Sequence, residues 1–153
     1  MLKIKNFEEF EQLIGKQIGV SDYIKISQEQ INEFADATLD HQWIHTDPER
    51  AKVESPFKST IAHGYLTLSV LPYLWNQIIE VDNLKSMINY GIKDLRFQEP
   101  VLVNDEVRLN VTLKSAVNLR GVVKAEMSAR LEIKGKKKPV YDSVIVFLYY
   151  FNN

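Results

Sequence analysis

Asp40 and His45, five positions apart in the segment DATLDHQWIHTDP (residues 36–48), are the residues of this chain best suited to moving a proton. A carboxylate accepts a proton from water, and a histidine with an ordinary pKa near 6.5 gives or takes one near neutral pH. Their spacing does not make them a pair in regular structure. On a helix they stand about 140° apart around the axis, and in an extended chain as much as ~17 Å apart. They meet on one water only if the chain between them curls. Taken alone, they are more simply an Asx-turn carboxylate and a surface histidine.

A second cluster is Ile61-Ala62-His63-Gly64-Tyr65, which opens a long apolar stretch. The free N–H groups of a helix start, with the positive end of its dipole, receive an oxyanion. Gly64 would let a substrate carbonyl approach the backbone, with His63 and Tyr65 beside it as candidate binding residues. For His63, a structural hydrogen bond to loop backbone is preferred over catalysis. Three histidines and no cysteine show no metal-ligand spacing, so no metal is expected.

These residues need elements to hold them. Asn6 and Glu9 cap a short first helix that Gly15 stops, and a strand is expected near Asp22 to Lys25. Ser27 and Gln30 form a capping-box pattern ahead of a second helix ending near Ala37. Thr38 to Thr60 has little periodicity beyond the Asp47-Pro48 helix start, and reads as a long functional loop. From Ile61 to Ile79 apolar residues surround the axis, which predicts an enclosed helix, bent at Pro72.

The second half alternates. Val107 to Leu113 and Val123 to Ile133 have apolar residues at every second position, joined by a turn at Asn118–Gly121. A hairpin turn at Lys134–Pro139 leads to the apolar run Val144–Phe151, which suits a central strand. The prediction is one α+β domain over residues 1–153, with an antiparallel sheet wrapped around a central helix.

Composition sets the boundaries. Of 153 residues, 45% are hydrophobic and 25% charged, with a net charge of -1. These are ordinary values for a soluble domain, and give no global field for nucleic acid or an anionic membrane. The absence of cysteine fits a reducing compartment, and Glu8, Glu9 and Glu11 break up any signal-peptide core, so a cytoplasmic protein is expected.

Together the segments resemble the MaoC-like dehydratase family, which includes the (R)-specific enoyl-CoA hydratases and the nodulation protein N-like members. The hydratase motif reads Asp40-His41-Gln42-Trp43-Ile44-His45 here. Ile61-Ala62-His63-Gly64 matches the opening of the family's central helix, and Leu95-Arg96-Phe97-Gln98-Glu99-Pro100-Val101 through Val107 resembles its strand, turn and strand. Leu39 stands where a glycine is common, and Gln42 and Trp43 replace the usual Asn and Pro.

The resemblance implies a hot-dog fold, a homodimer, and syn addition of water to a trans-2-enoyl-CoA giving the (R)-3-hydroxyacyl-CoA, or the reverse. Acyl-CoA or an acyl-carrier-protein thioester would be the substrate. By carry-over, Asp40 activates the water, His45 shares it, and the Gly64 N–H helps bind the thioester oxygen. No catalytic serine is assigned. Ser69 reads as a packing residue, and Trp43 and Trp75 as core or pocket wall. Asn89, Tyr90 and Arg96 are weaker candidates for reaching the ligand, and Lys134–Lys138 reads as a solvated hairpin tip rather than a CoA-phosphate contact. A hot-dog thioesterase and a non-catalytic acyl-thioester binding module are the rival functions.

Overall fold

A computed structural model describes residues 1–152. Asn6 accepts from the Glu9 N–H at the start of α1 (Phe7–Gln12), and Ser27 accepts from the Gln30 N–H at the start of α2 (Gln28–Thr38), as their sequences predict. The short strands β1 (Leu2–Ile4), β2 (Gln17–Val20) and β3 (Ile24–Lys25) surround these helices. The expected loop from Thr38 to Thr60 is not irregular throughout. It holds two short helices, α3 (Trp43–Thr46) and α4 (Pro48–Glu54), and Asp47 caps the second through the Arg50 N–H at 3.0 Å.

The central helix also differs from expectation. Ile61 lies outside it, in a bridge to Leu102, and the helix starts at Gly64. It is broken at Val70 into α5 (Gly64–Ser69) and α6 (Leu71–Ile78). Pro72 sits in the first turn of α6, where its missing N–H has no intrahelical acceptor to lose. Ile79 already belongs to β4 (Ile79–Val81), which pairs in parallel with β1. Nor is the helix enclosed all round: Leu66, Leu74, Trp75 and Ile78 are buried, whereas Tyr65 and Tyr73 are exposed. Among the described residues, no helix is long and apolar enough to cross a membrane.

The main sheet runs β2-β6-β7-β8-β5, with β3 also on β6. Its long members are β5 (Leu84–Lys93), β6 (Glu106–Asn118), β7 (Val122–Ile133) and β8 (Tyr141–Phe151), antiparallel throughout. On β7 buried and half-buried residues alternate without a break, and β8 is buried on both sides from Ile145 to Phe147, as an internal strand should be. The sheet curves around α6. Trp75 stacks on Phe147 and donates from Nε1 to the Tyr149 hydroxyl of β8 at 2.9 Å, while Ile78 reaches Gly19 of β2, where a Cβ would come within 2.9 Å of the Ile78 side chain. From β8, the buried Tyr141 hydroxyl donates to the Thr67 carbonyl at 3.2 Å, close to the helix break.

Candidate active site

Three devices curl the chain between Asp40 and His45. Helix α2 ends with Leu39 in the left-handed region (φ 65°), which turns the backbone out of the helix. The His41 ring then meets the Asp36 carboxylate of α2 at 2.9 Å. From Gln42 the chain enters α3, whose Trp43 ring lies under the Arg50 guanidinium of α4 at 4.4 Å. Trp43 is half-buried at this junction, while Trp75 is core.

The result brings Asp40 and His45 together, with His63 as a third member: one donor atom from each lies within 4.8 Å of the other two. The Nδ1 of His45 lies 2.7 Å from the Ile61 carbonyl oxygen. A carbonyl only accepts, so Nδ1 carries the hydrogen and Nε2 is the ring's free nitrogen. Burial holds the His45 imidazole below its ordinary pKa of 6.5. The neighbouring His63 pushes the same way, and the Ile61 carbonyl and Asp40 carboxylate oppose without cancelling the shift.

His63, the residue before α5, is 3% exposed. Its Nε2 lies 3.0 Å from the Asp40 carbonyl oxygen and 4.0 Å from the Asp40 carboxylate, and its ring stacks on His45 with centroids 3.9 Å apart. Phe34 of α2 packs on it at 4.9 Å. His63 therefore ties the Asp40 backbone to the helix start, in keeping with a hydrogen bond to loop backbone. Its buried Nδ1 has no hydrogen-bond partner among the described residues.

Three donors so close together raise the question of a metal. The two imidazole planes are only 27° from parallel. Lone pairs lying in near-parallel planes do not converge on one ion, and one His45 nitrogen is already committed to Ile61. The arrangement suits a shared proton better than a shared cation.

At the start of α5 the Leu66 and Thr67 N–H groups both bond to the His63 carbonyl, and those of Gly64 and Tyr65 have no protein acceptor among the described residues. Gly64 is required sterically: a Cβ there would come within 3.0 Å of the Phe97 ring. On its Cβ side Gly64 thus packs against Phe97, a residue the sequence did not single out. Phe97 also meets Tyr65 and Tyr141 edge-on, and lines a cleft of about 310 Å³ with Gly64, Thr67 and Val101. Tyr65 is 72% exposed.

A second cleft, of about 420 Å³, lies between the helix break and β5, lined by Ser69, Pro72, Asn89, Tyr90, Ile145 and Phe147 among others. Ser69 is therefore not a packing residue. It is exposed, with its hydroxyl donating to the Tyr65 carbonyl at 2.7 Å. Asn89 and Tyr90 line this cleft, whereas Arg96 lies beyond β5 and lines neither cleft. At the basic hairpin, Lys134 pairs with Glu106 at 2.9 Å and Lys136 with Asp105 at 3.4 Å, which neutralises part of its charge.

The chain is similar to known proteins in sequence and in fold. Residues 9–134 match the family described as MaoC like domain. The chain is 43% identical to 3-hydroxyacyl-thioester dehydratase Z of Mycobacterium tuberculosis, over 95% of this chain and 99% of that one. It is 40% identical to nodulation protein N of Rhizobium leguminosarum bv. viciae, over 82% and 80%. Among solved structures, the R-hydratase PhaJ1 from Pseudomonas aeruginosa superposes with a TM-score of 0.73 at 21% identity, covering 91% of this chain and 83% of that one, a likeness of fold. The chain has the hot-dog fold and belongs to the MaoC-like dehydratase family.

Proposed function

We propose that this protein is a cytoplasmic, cofactor-free hydro-lyase that adds water to a trans-2-enoyl thioester, giving the (R)-3-hydroxyacyl thioester, or catalyses the reverse dehydration. The observation that carries the reading is the convergence of Asp40 with a His45 whose Nδ1 is fixed on a backbone carbonyl. Asp40 and His45 hold one water between them. Its oxygen bonds to C3 of the enoyl group, one of its protons passes to the pair, and a proton from the pair is delivered to C2, so that water is added across the double bond. Negative charge that develops on the thioester oxygen is met by the free N–H groups at the start of α5, that of Gly64 first and Tyr65 beside it. His63 holds the Asp40 backbone beneath the pair.

The relative named 3-hydroxyacyl-thioester dehydratase supports the thioester class of substrate. The test is a hydration assay on a short enoyl-CoA with wild type, Asp40→Asn and His45→Gln. Each substitution is expected to lower the rate about 10²-fold or more in a folded protein. Release of free CoA without 3-hydroxyacyl-CoA would instead identify a thioesterase, and binding without turnover a non-catalytic module. We further propose that the working form is a homodimer, because among the described residues the apolar edge strand β5 pairs only with β8 and leaves its outer side open.

A further inference from the structure

Helix α3 has four residues and no side-chain cap at its start. A helix so short does not hold itself in water, so the position of His45 must be set by bonds from outside α3. Two such bonds come from the segment after α4. The Ile61 N–H donates to the Ile44 carbonyl at 3.1 Å, and the Ile61 carbonyl accepts from His45 Nδ1. That segment is itself anchored, Thr60 and Ala62 bonding to Val103 and Val101.

The third bond comes from α2. The Gln28 side-chain Nε2 donates to the His45 carbonyl at 2.7 Å and to Asn32 Oδ1 at 2.9 Å, while its Oε1 accepts from the Thr60 hydroxyl at 2.5 Å. The amide orientation is fixed by chemistry, since the His45 carbonyl only accepts. Thr60 is 1% exposed, so water does not replace it at Oε1. One half-buried side chain therefore joins the carbonyl of His45 to the residue before the carbonyl that holds the His45 ring.

We propose that Gln28 is a positioning residue for catalysis: clamped by Thr60, its amide fixes the α3 backbone so that the His45 ring stays on Ile61 and close to Asp40. Gln28 does not act on substrate, and the inference rests on the hydro-lyase reading above. Freed of this bond, α3 shifts, and small misplacements of a proton-transfer group lower the rate far more than binding.

The experiment compares kcat and KM on a short enoyl-CoA for wild type, Gln28→Met, Gln28→Glu and Thr60→Val, with Asp40→Asn and His45→Gln alongside. The proteins that keep His45 are also examined by NMR for its Nδ1–H resonance. The Gln28 variants are expected to lose about 10- to 100-fold in kcat with KM within about twofold, and to broaden or lose that resonance. Thr60→Val should follow in the same direction. On a His45→Gln background, Gln28→Met should add no further loss. Should the Met variant fail to fold, the Glu variant still decides, because an acidic residue in the first turn of α2 favours the helix. A kcat within twofold of wild type in the Gln28 variants, or a rise in KM alone, would overturn the proposal. If Asp40→Asn and His45→Gln retain full activity, the hydro-lyase site is wrong instead, and the Nδ1–H signal still reports whether Gln28 holds the ring.

Discussion

The chemistry at His45 depends on which nitrogen carries the hydrogen and at what pH a second one arrives. The Ile61 carbonyl settles the first, and burial sets the direction of the second, below 6.5. Between the native pKa and 6.5, the unfolded chain binds more protons at this residue than the native chain. His45 therefore contributes its stability in full above about pH 6.5 and loses it as the pH falls toward the native value. An NMR titration of the ring should have its midpoint below 6.5. His45→Gln should flatten part of the fall in urea-unfolding stability between about pH 7 and 5. A midpoint at or above 6.5 would contradict the burial seen here. Asp40 and His45 were legible in the sequence because their residue types and the segment around them are local. Gln28 was not, because the two partners through which it holds α3, His45 and Thr60, lie 17 and 32 positions away, and its neighbours Ser27 and Gln30 read simply as a helix cap.

At the level of elements, caps and alternation carried most of the legible information. Asn6, Ser27 and Asp47 each mark a helix start because a short side chain satisfies a free N–H locally. The alternation of β6 and β7 survives because one face of each packs on the core. By contrast, β1, β2 and β4 are three or four residues long and take their pairing from distant segments, so no local period reveals them. The end of α2 is the element most at odds with its sequence. Leu39 adopts the left-handed conformation that favours glycine, and its side chain is 81% exposed, so no packing offsets the strain. Leu39→Gly is expected to raise stability by about 1 kcal/mol in urea unfolding. Unchanged or lower stability would mean that contacts or unfolded-state entropy offset the turn. The rate of the same variant then tests whether the leucine, one residue before Asp40, contributes to substrate handling.

Across the whole molecule, the sheet encloses one face of the broken helix and leaves an edge. Strand β5 pairs with β8 on one side, and Ile88, Tyr90 and Ile92 are exposed along it, with Tyr65 and Tyr73 on the helices also exposed. An exposed apolar edge strand with free backbone groups is a template for pairing with another chain. The 420 Å³ cleft lies against the same strand, lined by Tyr90 and Ile92. A second copy pairing along β5 would extend the sheet and bring its own surface to the mouth of that cleft. Sedimentation velocity of the wild-type protein should therefore give a dimer. Tyr90→Glu with Ile92→Lys places charges at alternate positions of the edge, and should shift the protein to monomer without unfolding it, because both side chains are already exposed. A wild-type monomer, or a dimer indifferent to these charges, would move the interface away from β5. Enoyl-CoA hydration by the monomeric variant, measured beside the wild type, then shows whether the site of Asp40 and His45 is complete within one chain.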